Sequence, residues 1–134
     1  MRQVVIFGLL AILVVSVMIA TGTAAKPKSD NSAIGRLRHV VIFKFKDDTS
    51  AEAVKSIEAG FAALPGKIDA VVDLEWGTDV SVENLQDGFT HCFLVTFNDA
   101  KGRDTYLPHP AHTAFVDKLK PHLDKVLVID YVAR

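Results

Sequence analysis

Tyr106, His109 and His112, gathered in the stretch Tyr106-Leu-Pro-His109-Pro-Ala-His112, are the side chains of this 134-residue sequence best suited to acid–base chemistry. A phenol can donate a hydrogen bond to an oxygen that gains charge while an imidazole takes a proton from carbon, a pairing suited to enolate chemistry. His112 falls on one helical stripe with Phe115, Val116 and Leu119, where an imidazole costs desolvation unless something uses it. His109 and His112 are three apart, a spacing zinc sites tolerate. No Cys-rich pair or His-Glu-x-x-His pattern accompanies them, so neither a metal nor a cofactor is expected. His39, His91 and Asp130 interrupt apolar runs of strand length. Each could face a ligand, and Asp130 could orient a histidine. Each could equally be a hydrogen-bonded packing residue or face water. The single Cys, Cys92, lies in an apolar run and reads as a small core residue.

These groups need elements to hold them. Leu37 to Lys46 (LRHVVIFKFK) is a β-branched and aromatic run that reads as a strand. Thr49 and Glu52 form a capping-box pattern for a helix whose stripe is Val54, Ile57, Phe61 and Leu64, ended by Pro65-Gly66. Ile68, Ala70, Val72, Leu74 and Trp76 alternate with polar residues and predict a second strand, followed by a polar loop from Gly77 to Gly88. Phe89 to Phe97 is apolar on both alternating sets and predicts a central strand. A short helical turn capped by Asn98 or Asp99 follows. Pro108 and Pro110 interrupt it, with Pro110 suited to the first position of a new helix. Val126 to Val132 is the closing strand.

The order β-α-β-β-α-β with right-handed crossovers predicts an α+β, ferredoxin-like plait: a four-stranded antiparallel sheet, helices on one face, first and third strands central. Those two strands are apolar on both faces, with Val41, Phe43 and Phe45 opposed to Val40 and Ile42, and Phe93, Val95 and Phe97 opposed to Cys92 and Leu94. Helices cover one face only. The other would leave several hundred Å² of apolar surface in water, so a second copy is expected to cover it as a homodimer. The pocket expected between the paired sheets would hold a small apolar or aromatic molecule, with His39, His91, Phe93 and His109 as ligand-binding candidates and Tyr106, His112 and Asp130 as catalytic ones.

Targeting and composition narrow the setting. Arg2 followed by the apolar run Val4 to Ala20 and the small residues Thr21 to Ala25 reads as a signal peptide over 1–25. An uncleaved membrane anchor is the alternative, since the run is near the ~17-residue minimum for a span. Residues 26–35 form a flexible linker and 36–134 the domain, exported to the periplasm or secreted. Losing Arg2 takes one from the 15 Lys and Arg set against 16 Asp and Glu, for a formal charge of −2. That balance, with no basic cluster, argues against nucleic acid, and no stable membrane partner is expected after cleavage.

Taken together, Leu37-Arg-His39-Val-Val-Ile-Phe-Lys-Phe-Lys46, Trp76-Gly77, Gly88-Phe-Thr-His91, His109-Pro-Ala-His112 and Ile129-Asp-Tyr131 resemble the stress-responsive A/B barrel family over residues 36–134. The resemblance implies a ferredoxin-like dimer with a central barrel. The family also includes a plant polyketide cyclase that performs an intramolecular aldol condensation without a cofactor. Its catalytic Tyr and His match Tyr106 and His112, its strand histidines match His39 and His91, and an Asp near its site matches Asp130. Three functions follow as expectations: a small-molecule-binding dimer, a cofactor-free cyclase or lyase with His112 as base and Tyr106 as donor, and a non-catalytic self-associating protein.

Overall fold

Alternating burial along Leu37–Phe45 marks the first strand, β1: Leu37, His39, Val41 and Phe43 are buried while Arg38, Val40 and Ile42 between them are half-buried. The computed structural model describes residues 33–134. The signal peptide expected over 1–25 and the linker as far as residue 32 lie outside the described residues. Helix α1 (Ala51–Ala62) follows β1, then β2 (Asp73–Thr78), β3 (His91–Phe97), α2 (Ala100–Tyr106), α3 (Pro110–Leu119) and β4 (Leu123–Val132). The sheet order is β2-β3-β1-β4 with every neighbouring pair antiparallel, the ferredoxin-like plait, and β1 and β3 are central as their two apolar faces imply.

The core lies between the sheet and the helices. Ile57, Phe61 and Leu64 from α1 and the segment after it, with Phe115 and Leu119 from α3, meet Val41, Phe43, Phe93, Val95 and Phe97 of the central strands. Phe93 sits at the centre, its ring centroid 4.1 Å from Phe61, 5.2 Å from Phe43 and 5.4 Å from the stacked Trp76. Phe93, expected as a ligand contact, is packed wholly within the core of the single subunit. Gly102 lets α2 press on β3: a Cβ there would stand 3.2 Å from Phe97 Cβ. That close approach sets the height of Arg103 and Tyr106 above the sheet.

Four local expectations are corrected. The N-cap of α1 is Ser50, whose Oγ accepts from the Ala53 N–H at 3.2 Å, while Thr49 donates to the His122 carbonyl. β2 begins at Asp73 and not at Ile68. The Ile68–Val72 stretch instead turns, with the Ile68 and Val71 N–H groups bonded to the Leu64 and Ile68 carbonyls, and drops Ile68 and Val71 into the core. β2 also runs on through Gly77 and Thr78, so the connecting loop starts at Asp79. Cys92 is exposed, since it faces away from the helices opposite Ile42.

The helix-free face carries Val40, Ile42, Cys92 and Leu94, with Leu127, Ile129 and Tyr131 of β4 between 42 and 50 % exposed. On β4 even the residues turned to the helix side, Val126, Val128 and Val132, stay about half open, because α2 and α3 do not extend over this edge. Truncating Phe93→Ala should cost about 3–5 kcal/mol of unfolding free energy in urea denaturation. A cost below about 1 kcal/mol would contradict its central place.

Candidate functional site

Four elements, β1, β4, α2 and α3, converge at one end of the sheet's helix side. The β1–β4 register sets His39 directly opposite Asp130, and His39 Nδ1 lies 2.6 Å from Asp130 Oδ1. Helix α2 ends at Tyr106, whose ring centroid is 6.0 Å from that of His39. Pro108 and Pro110 then break the chain, and α3 restarts with His112 in its first turn, its ring centroid 4.3 Å from that of Tyr106. Tyr106, His112, His39 and Asp130 thus form one contiguous cluster. It lies inside a single subunit between the sheet and α2/α3, and not between paired sheets.

The hydrogen bonds assign the protons. His112 Nδ1 is 2.8 Å from the Leu107 carbonyl oxygen, which only accepts, so Nδ1 carries the proton and the neutral ring keeps a basic lone pair on Nε2. Burial holds the His112 imidazole below its ordinary value. That effect outweighs the Leu107 hydrogen bond and is reinforced by the neighbouring His39 and His109. The base is therefore unprotonated at neutral pH. Asp130 accepts from His39 on Oδ1 and from Arg103 Nη1 on Oδ2 at 2.9 Å. Burial raises its pKa, but these partners win and hold it below the usual carboxylate range. His39 then donates from Nδ1, leaving its Nε2 uncommitted.

Tyr106 is the unusual member. Its residue is 1 % exposed, and its hydroxyl is buried with no hydrogen-bond partner among the described residues. Leaving such a group unpaired costs about 1–3 kcal/mol. Burial also raises its pKa far above the ordinary phenol value, so the hydroxyl stays a donor. A proton donor with nothing to donate to, beside a base with a free nitrogen, can polarise a carbonyl oxygen while a proton leaves the adjacent carbon.

Two other histidines have partners within the fold. His91 uses both nitrogens, one toward Glu58 Oε1 at 3.0 Å and one toward Thr90 Oγ1 at 2.8 Å, and pins β3 to α1. His109 is the N-cap of α3, its Nδ1 accepting from the Ala111 N–H at 3.1 Å. Both residues thus have structural partners within the fold. Sequence reasoning passes over Arg103 and Glu58, because a charged residue on a helix looks solvated until register shows what lies across from it. Among the described residues, no group of three or more His, Cys, Asp or Glu is arranged to hold a metal ion.

A hollow of about 880 Å³ lies on the helix-free face. Ile42, Cys92, Leu94 and Leu127 form its floor, and the loop after β2, with Val80 and Leu85, forms its wall. It reaches His91 but none of His39, Tyr106, His112 or Asp130.

Comparison with known proteins agrees with this architecture. The sequence profile described as Stress Responsive A/B Barrel Domain matches residues 37–133. A stress-response A/B barrel domain-containing protein of Arabidopsis thaliana is 42 % identical over 99 residues, 74 % of this chain and 91 % of that protein. Olivetolic acid cyclase of Cannabis sativa is 33 % identical over 98 residues, 73 % of this chain and 97 % of the cyclase. The structure of the hydroxynitrile lyase of Passiflora edulis superposes with a TM-score of 0.70 at 27 % identity, covering 74 % of this chain and 94 % of the lyase. A dimeric ferredoxin-like protein from a Jannaschia species superposes at 0.62 with 25 % identity, over 72 % of this chain and 98 % of its own.

An unpaired buried hydroxyl is a stability cost that its removal relieves. Tyr106→Phe should leave the unfolding free energy unchanged or raise it by about 1 kcal/mol in urea denaturation. A loss greater than about 1 kcal/mol would mean that the hydroxyl has a partner in the resting protein.

Proposed function

The chain belongs to the stress-responsive A/B barrel family, and from that premise we propose that it is an exported homodimeric enzyme performing cofactor-free acid–base chemistry on a small carbonyl compound. The observation that carries this reading is the orphaned Tyr106 hydroxyl beside His112, whose tautomer leaves Nε2 free. His112 Nε2 takes a proton from the carbon next to a carbonyl, and the enolate oxygen accepts from the Tyr106 O–H. The enolate carbon then bonds to a second carbonyl carbon of the same molecule, whose oxygen recovers the proton from His112. In the cleavage direction His112 Nε2 takes the proton of a hydroxyl held by Tyr106, the adjacent C–C bond breaks as the carbonyl forms, and the departing carbanion, an enolate or cyanide, takes that proton back from His112. A cyclase and a lyase among the relatives support the reaction class.

Homodimer formation is supported by dimeric neighbours of this fold and by the apolar helix-free face. Export rests on the Arg2-led apolar segment. A second reading is binding without turnover of an apolar molecule. The largely apolar 880 Å³ hollow favours it, and saturable binding of an apolar dye that Leu94→Asp abolishes, with no reaction detected, would establish it.

Two probes test the catalytic reading: deuterium exchange next to the carbonyl of a phenyl alkyl ketone, and cleavage of an aromatic cyanohydrin. At least one should run faster than in buffer, and Tyr106→Phe and His112→Ala should each slow it about 100-fold or more. Wild-type rates in both folded variants would overturn it. Because the protonated His112 cannot accept a proton and its pKa is lowered, kcat/KM should fall on acidification with a midpoint below about 6.5. A midpoint above that value would assign the limb to another group. In sedimentation velocity at micromolar concentration the domain should run as a dimer, and Leu127→Lys with Ile129→Lys should release monomers. A monomeric wild type would remove the second subunit from the proposal.

A further inference from the structure

Arg103 lies on α2, three residues before Tyr106, and its guanidinium reaches in two directions. Nη1 donates to Asp130 Oδ2 at 2.9 Å, while Nε and Nη2 both donate to Asp104 Oδ1, at 3.1 and 2.8 Å. Asp130 therefore accepts from different elements on its two oxygens, His39 of β1 on one and Arg103 of α2 on the other. Two such bonds on opposite oxygens fix the plane of a carboxylate that would otherwise rotate at the open edge of the sheet, where Asp130 retains 30 % side-chain exposure.

We infer that Arg103 is a positioning residue, which clamps Asp130 as an ionised carboxylate so that His39 is held as the Nδ1–H donor with its Nε2 free toward the Tyr106–His112 site. The charge balance explains why a cation belongs here. A carboxylate at this edge needs a donor on each oxygen, and His39 reaches only Oδ1. Arg103 supplies the positive charge itself, always protonated and in a planar fork that matches a carboxylate. With Oδ2 held by Arg103, Oδ1 stays aimed at the His39 Nδ1. The groups facing Asp130 are all part of this account: His39 from β1, and Arg103 from α2, itself held by Asp104. Tyr106 at the end of α2 packs edge-on against the His39 ring, 6.0 Å between centroids, and His112 on α3 packs against Tyr106.

The inference rests on the acid–base reading for its purpose, but its test reads the clamp directly and needs no substrate. In the full chain, NMR of the Asp130 carboxyl carbon and of the His39 ring nitrogens is compared among wild type, Arg103→Met and Arg103→Lys. Arg103→Met should shift the Asp130 titration upward, toward the ordinary carboxylate range, and erase the hydrogen-bonded His39 Nδ1 proton signal. Arg103→Lys, which keeps the charge without the fork, should restore the titration more fully than the proton signal. In the unmodified protein the Arg103 guanidinium resonances should move with the same midpoint as Asp130, which keeps the question answerable if Arg103→Met does not fold. An unchanged Asp130 titration in folded Arg103→Met, or guanidinium resonances in wild type that ignore Asp130, would reduce Arg103 to a surface partner of Asp104. A clamp present in a protein without turnover would leave the positioning intact and sink only the catalytic reading.

Discussion

The pairing of β1 with β4 decides whether this protein has a site at all. In the register that sets His39 opposite Asp130, Leu37, Val41 and Phe43 also point into the core. Because side chains alternate along a strand, a slip of one residue would turn Phe43 to solvent and carry His39 to the far face of the sheet. The register is thus held by the burial of aromatic and aliphatic side chains, whose combined worth is far larger than that of one His–Asp hydrogen bond. Hydrophobic packing is the cause and the position of the polar pair its result.

The two prolines act at a second level. Pro108 prevents α2 from running on, and Pro110 starts α3 with His109 as its cap, so the chain bends between Tyr106 and His112. In one continuous helix these two residues would project from different sides. The bend brings their rings to 4.3 Å and frees the Leu107 carbonyl at the helix end to accept a hydrogen bond from the His112 Nδ1–H. A backbone acceptor left over from a helix terminus thereby selects the tautomer.

Much of the fold is readable in the sequence because its signals agree: β1 and β3 are apolar on both faces, the Pro108-x-Pro110 break is local, and Pro65-Gly66 closes α1. The β2 boundary is not readable. Ile68 and Val71 enter the core from turns, yet Ile68 with Ala70, Val72 and Leu74 looks like the alternation of a strand. The face of each central strand is equally hidden, since both faces carry apolar side chains, and this ambiguity places Cys92 on the open side and Phe93 in the core. The histidines show the same limit. His39, His91, His109 and His112 are alike as letters. Only the partners brought by distant segments, Asp130 for His39 and Glu58 for His91, separate a residue of the site from a structural pin.

The joining of β1 to β4 also governs when the molecule can acquire its form. β4 is the last of the domain's elements to leave the ribosome, and β1, the first strand to emerge, must wait for it with one long edge unpaired. Nearly the whole domain has to be synthesised before that gap closes. Folding is therefore late and dominated by contacts distant in sequence, the regime in which chains fold slowly. Until then the nascent polypeptide presents an extended apolar border, open to chaperones and to other unfinished chains alike.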